Sequence, residues 1–447
     1  EVLKSIKQGK LDYAHLSVSN FVDDIILSMN SNGVLDCIDN TIQDKRHHNK
    51  LIPFKLIMAL SVVAKMKVKT SLTDIPYAIQ DHKVLADLGY TLIDNDGLNN
   101  GLMSESGLRF LLNKYESTEL FETYNNIVQK SIMPKLNIET NIHILDCTKL
   151  EVNTKNFNYE NASASSDGNG GYIRGYKLAT LRGVTGDVGI IEDIRFGAIN
   201  IHDLTLSEEM LKTTNVFKKG DILINDRGFL SRDLLNYLKT VREVDTYIPL
   251  RKNMQAYNIA IQVAQDEDIW IDHPSRKHQK ITQVMDLGVY WEGKNIKDDV
   301  QINACVVWDY KYDEYFVFIT TDLTKNAKQI IMTYELRPEI EEDYRQLKDF
   351  WKLEDFKSTK INVIAFHIIC VLLGYLFFQL YVMLEDDSYA HKSLPIVLKN
   401  YDSKALSKII VYVGDFFGIF DLVEFMDIYA NLDEESRIMC QSVLRMI

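Results

Sequence analysis

The stretch DILINDRGFLSRDLLNYLKT, residues 221–240, predicts a strand, a tight turn and a helix in immediate succession. Its short apolar run ends at the acidic Asp226, as in a buried strand that stops at a turn. Arg227–Phe229 makes the turn around a central glycine. Ser231 then stands where a side chain caps the first turn of a helix. A strand followed directly by a helix is the repeating unit of an α/β sheet.

Similar elements extend from this stretch in both directions, over residues 139–250. The predicted elements are a strand that ends at Asp146, strands Tyr176–Val184 and Val188–Phe196 joined by a hairpin at Thr185–Asp187, a helix Leu204–Thr214 capped by Asp203, and a strand near Thr246–Leu250. The order is therefore three strands, a helix, a strand, a helix and a last strand. An RNase H-like α/β sheet requires this order, with its first three strands antiparallel and the later ones reached through helical crossovers.

The remainder of the chain divides into regions with different sequence patterns. Residues 1–138 predict helices separated by polar turns, with no strand-like alternation. Residues 251–324 predict a β-rich insertion, with strands at Ile269–Ile271, Val289–Trp291, Ile302–Tyr310 and Tyr315–Thr321. Residues 325–385 return to helices as the second part of the core. Residues 386–447 predict a helical C-terminal region. The predicted fold is thus an α/β, RNase H-like core interrupted by a β-rich insertion and flanked by helical regions.

Length, charge and cysteine content limit the functions open to the chain. Its 447 residues, 46% of them hydrophobic, are enough for several folded domains. The net charge of -13 disfavours a broad nucleic-acid surface, because phosphate contacts need Lys and Arg, so any DNA binding must be local. The 5 cysteines are widely spaced, which argues against a disulfide framework or a structural zinc site and fits a reducing cytosol.

One apolar segment, Ile361–Leu384, is long enough to be read as a membrane span. It contains Asn362, His367 and Gln379, and it follows a strongly charged amphipathic stretch directly. A helix that is apolar on all sides can also be buried inside a large protein. We therefore expect a buried core helix, and a membrane-associated protein is the alternative.

Asp146 and Asp226 each end a predicted strand. If the two strands are neighbours, both carboxylates emerge at adjacent strand ends, where they can hold a divalent metal such as Mg²⁺. An aspartate at a strand end also commonly caps the following turn. The two residues alone therefore leave both roles open.

A third carboxylate lies on a predicted helix that begins at Pro338. A core stripe on this helix recurs at helical spacing and comprises Ile340, Tyr344, Leu347 and Trp351. The positions one residue after this stripe recur at the same helical spacing, and they are Glu341 and the basic Arg345, Lys348 and Lys352. A lone carboxylate thus lies on a basic face beside the core, although a solvated surface face has a similar pattern.

Ordered motifs in this sequence resemble a known family. The segment Tyr334-x2-Arg337-x3-Glu341-x6-Lys348 resembles the Tyr-Arg-Glu-Lys signature of bacterial insertion-sequence DDE transposases, the cut-and-paste group that passes through a DNA hairpin. LDCTKL around Asp146 and NDRGF around Asp226 resemble the family's first and second aspartate motifs, and GYKL at residues 175–178 resembles its second strand. The resemblance spans residues 142–352.

The resemblance implies a DNA transposase that cleaves transposon ends and joins them to target DNA. Asp146, Asp226 and Glu341 would hold two Mg²⁺ or Mn²⁺ ions for phosphoryl transfer. The family places its Tyr, Arg and Lys on DNA phosphates, which here implies Tyr334, Arg337 and Lys348, with Arg345 and Arg227 as further DNA-binding candidates. A base turned out of the hairpin is held on an aromatic ring, for which Trp270, Trp291 and Trp308 are candidates, although each is also typical of a packed strand residue.

Partners and rival functions follow from the same resemblance. We expect double-stranded DNA as the substrate, a homodimer on DNA, and a bacterial cytoplasmic protein that joins the nucleoid when bound. Residues 1–138 are expected to recognise end sequences, with packing or dimer contacts as the alternative. The rival functions are another RNase H-like nuclease, or a retired transposase that binds DNA without joining it. The neighbouring acids Asp203, Glu192 and Glu342 are predicted not to be ligands.

Overall fold

The computed structural model describes residues 2–18, 20–47, 52–90, 103–186, 188–287, 300–390, 392–394, 396–398, 407–414 and 416–444. The chain divides into two compact units. The terminal unit comprises residues 1–116, 350–357 and 366–447, and the sheet unit comprises residues 117–349 and 358–365.

The strands, and the α-helices of five or more residues, have the following bounds in the described part of the chain. The strands are β1 (Tyr13–Val18), β2 (Ile142–Val152), β3 (Ser163–Ser166), β4 (Tyr172–Thr185), β5 (Val188–Ala198), β6 (Ile222–Asn225), β7 (Asp245–Pro249), β8 (Ile271–Asp272), β9 (Gln279–Val284), β10 (Asn303–Asp309), β11 (Glu314–Thr320), β12 (Ser407–Val413) and β13 (Phe416–Asp421). The helices are α1 (Val2–Ile6), α2 (Phe21–Ser31), α3 (Val34–Thr41), α4 (Phe54–Met66), α5 (His82–Asp87), α6 (Glu105–Leu112), α7 (Ser117–Asn126), α8 (Asp203–Thr213), α9 (Arg232–Tyr237), α10 (Gln255–Glu267), α11 (Ala327–Tyr334), α12 (Pro338–Asp349), α13 (Ile361–Leu384), α14 (Leu422–Ala430) and α15 (Glu434–Leu444).

A large mixed sheet forms the centre of the sheet unit. Its strand order is β3-β4-β2-β6-β7-β11-β10-β9-β8, with β5 paired to the same side of β4 as β3. β2, β4 and β5 are antiparallel, whereas β2, β6 and β7 run parallel to one another. The predicted succession of three strands, a helix, a strand, a helix and a strand is present as β2, β4, β5, α8, β6, α9 and β7, and the short β3 is an additional strand after β2.

Apolar strands give this sheet its core. Nearly every residue from Tyr176 to Gly183 is buried, so β4 lies inside the unit and is covered on both faces. On one side α7 packs against β5, where Phe121 stacks on Phe196 with ring centroids 4.7 Å apart. The Tyr124 hydroxyl donates to the carbonyl of Ile191 at 2.9 Å, which satisfies a buried polar group at the helix–sheet contact.

The segment from residue 251 to 324 continues the same sheet. β11 pairs with β7, and β10, β9 and β8 follow outward in antiparallel order. The sequence predicts most of these strands but not α10, whose alanine-rich buried face has the 3.6-residue spacing of a helix. The predicted strand around Val289–Trp291 lies outside the described residues.

The start of α8 corrects one prediction. The helix begins at Asp203, and its cap is His202, whose side chain accepts from the Leu204 backbone N–H at 3.2 Å. Asp203 instead forms an ion pair with Lys177, at 2.6 Å between Oδ1 and Nζ. The prediction that Asp203 caps the helix is wrong by one residue, because a histidine ring nitrogen can accept the same hydrogen bond as an aspartate.

The terminal unit is not entirely helical, which corrects a second prediction. β1, β12 and β13 form an antiparallel sheet, although residues 1–138 and 386–447 predict helices only. Its core includes Ile6, Val411 and Phe425, which are buried against one another. The local sequence could not reveal this sheet, because β1 and β12 are almost 400 residues apart and short apolar runs fit helix and strand equally.

Helix α13 is buried, as its mixed composition predicts. By length and composition it could cross a membrane, but 89% of its most apolar window is buried inside the structure. Ile368, Leu372 and Phe377 are fully or almost fully inaccessible to solvent. The structure therefore gives no indication of a membrane protein.

Candidate active site

The two candidate aspartates lie at equivalent positions of neighbouring strands. β2 and β6 are parallel, and Leu145 pairs with Asn225 at the last registered position. Asp146 and Asp226 follow directly, so both side chains leave the same face of the sheet. The prediction that Asp146 ends a strand is wrong, because β2 continues along β4 to Val152. Pairing with β6 nevertheless stops just before Asp146.

Asp146 is a mostly buried carboxylate, with 15% of its side chain exposed. One carboxylate oxygen accepts from the Cys147 backbone N–H at 2.8 Å, and the other accepts from Arg337 Nη2 at 2.9 Å. Burial raises the pKa of Asp146 to about 6, and the charges of Asp226 and Glu341 act in the same direction. Arg337 and the Cys147 N–H oppose this rise without cancelling it. Burial, more than the neighbouring charges, therefore makes the ionised form of Asp146 costly in this site.

Asp226 follows β6 directly and begins a short 3₁₀ turn, Arg227–Phe229. Its side chain accepts from the Arg227 backbone N–H at 2.7 Å and so caps that turn. The capping role foreseen for a strand-end aspartate is thus present. One carboxylate oxygen makes this bond, so a second remains in the same side chain for another ligand.

Helix α12 carries the third carboxylate. Ile340, Tyr344 and Leu347 are buried, as the predicted core stripe requires, and the Glu341 side chain is 55% exposed beside them. Glu341 forms an ion pair with Arg337, one turn earlier, and the same guanidinium reaches Asp146. Arg337 therefore joins the carboxylate of α12 to the carboxylate of β2.

All three carboxylates affect the pKa of Arg337. Partial burial disfavours its charged form, but Asp146, Glu341 and Asp226 outweigh burial and raise the pKa of Arg337. The three carboxylates thus share one electrostatic neighbourhood, with the guanidinium among them.

Further contacts between α12 and the sheet were not foreseen from sequence. The Tyr344 hydroxyl donates to the carbonyl of Asp146 at 2.8 Å and is 2.7 Å from the hydroxyl of Thr180 on β4. Arg182, also on β4, forms an ion pair with Asp343 at 2.7 Å. The sequence contains a signal for this ion pair, because Asp343 lies on the apolar stripe of α12 and Arg182 interrupts an apolar strand.

Comparison with known protein families identifies the family to which this chain belongs. Residues 139–377, more than half of the chain, match the family model of the transposase DDE domain. The chain belongs to this family of transposase domains. No curated protein matches the sequence. Domains of this family act on DNA and generally use divalent metal ions, so a transposase function and a DNA partner follow from membership.

The basic residues predicted to contact DNA take different positions in this transposase domain. Lys348 Nζ donates to the carbonyl of Lys149 at 2.5 Å, so it lies over β2 beyond Asp146. Arg345 is held by Glu342 through hydrogen bonds of 2.7 and 2.6 Å on the exposed side of α12. Arg227 is exposed, and its carbonyl accepts from Arg251 Nε at 3.2 Å.

Tyr334 ends α11 close to the acidic site. Its ring packs on Phe318 with centroids 4.7 Å apart, and burial raises the pKa of Tyr334 to about 12. The hydroxyl therefore stays protonated at neutral pH. Together with Asp226 and Arg337 it borders a cavity of about 610 Å³ that extends along β10 and β11, past Phe316.

The tryptophan candidates for base stacking do not border this cavity in the part of the chain that the structure describes. Trp270 and Trp308 pack together at 5.6 Å, and Trp308 stacks on Tyr315 at 6.1 Å. The neighbours of Trp308 along β10, Val307 and Asp309, line the cavity, so Trp308 belongs to the opposite face of the sheet. Trp291 lies outside the described residues.

The other acids near the motifs have partners of their own. Asp203 is paired with Lys177, and Glu342 is paired with Arg345 on the surface. Glu192 is fully buried and bonds to His143 at 2.8 Å. Each of the three acids thus has a partner within the protein, and that none of them is a metal ligand stays a prediction.

The acidic site fits a hard divalent metal in its chemistry, with Arg337 as the competing cation. Asp146, Asp226 and Glu341 offer carboxylate oxygens, which Mg²⁺ and Mn²⁺ prefer. Among the described residues, no three His, Cys, Asp or Glu side chains are close enough to hold a metal ion as they stand. The guanidinium of Arg337 lies between two of the carboxylates, so a shared ion requires Arg337 to move aside.

Proposed function

We propose that this protein is a DNA transposase that cuts and rejoins DNA phosphodiesters at Asp146, Asp226 and Glu341. One observation carries the proposal: two aspartates occupy equivalent positions of adjacent parallel strands, and Arg337 links the first of them to Glu341. The family match supports the transposase class, and the proposal adds the residues and the chemistry.

We assign the core to the RNase H-like fold. Support comes from the strand order β5-β4-β2-β6-β7, in which β4 is antiparallel to β2 and to β5, and β6 and β7 run parallel to β2. On this assignment residues 139–250 and 325–385 are two parts of one core, and residues 251–324 are an insertion that widens its sheet. Residues 1–138 and 386–447 are then accessory regions.

The proposed cofactor is a pair of Mg²⁺ or Mn²⁺ ions. Asp146, Asp226 and Glu341 would hold these ions through their carboxylate oxygens. When bound, such ions activate the attacking oxygen and stabilise charge on the leaving oxygen. The three carboxylates offer the oxygen ligands that such ions prefer. Burial raises the pKa of Asp146 and the charges of Asp226 and Glu341 add to the rise, so a bound cation would favour the ionised carboxylate.

Arg337 has two roles in this proposal. Before DNA binds, its guanidinium neutralises Asp146 and Glu341. When a phosphate arrives, the guanidinium moves to its oxygens, for which its planar fork of donors is well suited. Tyr334 lies close to the same charged side chains, and its protonated hydroxyl donates a hydrogen bond to the DNA backbone. Lys348 contacts the phosphate on the β2 side, and Arg345 and Arg227 extend the contact outward.

The proposed reaction has four steps. Water attacks a phosphodiester at a transposon end and frees a 3′-OH. That 3′-OH attacks the opposite strand to form a hairpin, and a second water opens the hairpin. The 3′-OH finally attacks target DNA, and each step exchanges one P–O bond for another. We further propose a homodimer on DNA, end recognition by the N-terminal region, and action at the bacterial nucleoid in the cytoplasm.

A plasmid that carries the coding sequence with its flanking genomic DNA tests this function. With Mg²⁺, purified protein should nick the plasmid at the element's ends and give joined products. Asp146→Asn, Asp226→Asn and Glu341→Gln should each lose nicking and joining almost completely while gel-shift binding persists. Asp203→Asn is the matched control and should cut like the parent.

Other outcomes identify the rival functions. Cutting without any joined product would show a nuclease. DNA binding without metal-dependent cutting would show a retired transposase. If the three carboxylate variants lost binding along with cutting, the carboxylates would be structural and the catalytic assignment would be withdrawn.

A further inference from the structure

Two residues of β4 face the helix that carries Glu341. In the antiparallel register of β2 and β4, Asp146 lies opposite Thr180 and Ile144 lies opposite Arg182. Residues directly opposite one another share a face of the sheet. Thr180 and Arg182 are two positions apart and therefore also share that face, which is the one that α12 covers.

Arg182 forms a buried polar contact with α12. Its side chain is 7% exposed, and Nε is 2.7 Å from Oδ2 of Asp343, which is 8% exposed. Nη1 of the same guanidinium is 2.7 Å from Glu339, one turn earlier on the helix. A charged pair buried to this degree is costly unless its geometry is good, so it specifies one arrangement of the two elements.

Space for Arg182 is provided by a glycine on the neighbouring strand. A Cβ atom at Gly189 of β5 would overlap the guanidinium of Arg182. The backbone of Gly189 therefore lies directly against the planar group and confines it between β5 and α12.

Thr180 makes the second polar contact, through Tyr344. The Tyr344 hydroxyl uses its single proton on the carbonyl of Asp146, so the Thr180 hydroxyl donates to the Tyr344 oxygen at 2.7 Å. A chain of two hydrogen bonds thus runs from β4 through α12 to the backbone of the first candidate aspartate.

Apolar packing alone does not determine where Glu341 points. Burial of Ile340 and Leu347 is favourable but non-directional, and it tolerates a slip along the sheet. A slip of one residue rotates an α-helix by about 100° and would turn Glu341 away from Asp146. The contacts of Asp343 and Tyr344 forbid that slip, because both need a fixed partner on the sheet.

We infer that Arg182 and Thr180 are positioning residues for the reaction, because they set the register of α12 so that Glu341 faces Asp146. The inference rests on the proposed function, in which Glu341 is a metal ligand. Neither residue touches the reacting atoms; each acts through α12.

A double variant of the full-length chain separates positioning from folding. Arg182→Met alone leaves Asp343 buried without its partner and should lower the melting temperature. Arg182→Met with Asp343→Leu replaces the ion pair by apolar groups of similar volume, which commonly preserves stability. We expect this double variant to melt near the parent and to bind plasmid DNA in a gel shift with affinity within about twofold of the parent. Its Mg²⁺-dependent nicking should fall by about 100-fold, as for a misplacement of about 1 Å.

Metal dependence provides a readout that general destabilisation does not change. If Glu341 is misplaced, the Mn²⁺ concentration for half-maximal nicking should rise in the double variant. Arg182→Lys alone, which keeps a cation beside Asp343, should nick faster than Arg182→Met alone. Thr180→Val, which removes one hydroxyl at constant shape, should show the same rise at an unchanged melting temperature. Thr180→Val decides the question if the double variant does not fold.

Failure of this inference can be distinguished from failure of the proposed function. The positioning role is overturned if the folded double variant, or Thr180→Val, nicks with parental rate and parental Mn²⁺ dependence while Glu341→Gln is inactive. If Glu341→Gln itself nicks like the parent, the proposed function fails and the inference fails with it.

Discussion

The buried histidine of β2 should make the stability of the sheet unit depend on pH. His143 is fully inaccessible to solvent, with Nδ1 2.8 Å from Glu192 and Nε2 3.1 Å from Asp221. Burial by itself disfavours the imidazolium, but hydrogen bonds to Asp221 and Glu192 outweigh it and raise the pKa of His143 to about 9. The folded protein therefore holds a proton that the unfolded chain releases near pH 6.5.

The sign and size of the effect follow from these two pKa values. Because the folded pKa of His143 is the higher one, its contribution to stability is complete below pH 6.5 and is lost as pH rises through 9. At about 1.4 kcal/mol per pH unit, the free energy of unfolding should fall by about 3 kcal/mol across this interval. His143→Gln cannot take up the proton and should abolish this part of the pH dependence.

Urea unfolding between pH 6 and pH 10 measures this contribution. In a background with Trp291→Phe and Trp351→Phe the remaining tryptophans, Trp270 and Trp308, belong to the sheet unit, so fluorescence follows that unit. His278→Gln, at an exposed histidine of the same unit, is the matched control. The stability difference between parent and His143→Gln should be largest at pH 6 and should shrink towards pH 10. A difference that stays constant or grows with pH would refute the charged-histidine account.

Further predictions concern the backbone, the decoy acid and the DNA contacts. Gly175→Ala should destabilise the sheet unit by several kcal/mol in thermal unfolding, because φ is +153° and a Cβ atom would overlap the carbonyl of Leu150; an unchanged melting temperature would contradict this. Asp203→Ala should keep Mg²⁺-dependent nicking within about twofold, since its partner is Lys177; complete loss of nicking would reassign the second acid. Arg337→Ala should weaken DNA binding and reduce the slope of log affinity against log salt by about one unit in gel-shift titrations. An unchanged slope would remove Arg337 from the phosphate contacts.

The fold was predictable where pattern and pairing are local. The strand, turn and helix around Asp226, and the hairpin between β4 and β5, follow from apolar runs and turn residues that lie close together in sequence. The sheet of β1, β12 and β13 was not predictable, because its partners come from opposite ends of the chain. The cap of α8 was missed for a subtler reason, since a histidine took the role that the rules give to aspartate.

The candidate site shows the same division. The positions of Asp146 and Glu341 were identified from strand and helix patterns and from the family resemblance. The ion pairs of Arg337 with both carboxylates could not be predicted, because they depend on how α12 lies across β2. Arg182 and Asp343 were overlooked because each is a single charge in an apolar run, and only their 2.7 Å contact explains the two together.

Crystals soaked in Mn²⁺ and measured at an anomalous wavelength show directly which side chains bind the metal ion. We expect an anomalous peak within direct coordination distance of Asp146 and of Asp226 or Glu341. The Arg337 guanidinium should be displaced from Asp146 and Glu341, with which it forms ion pairs. The same soak of the Asp146→Asn variant should lose the peak. Peaks elsewhere in the domain, or no peak here at a Mn²⁺ concentration that supports nicking, would contradict the assignment of these three carboxylates as the metal site.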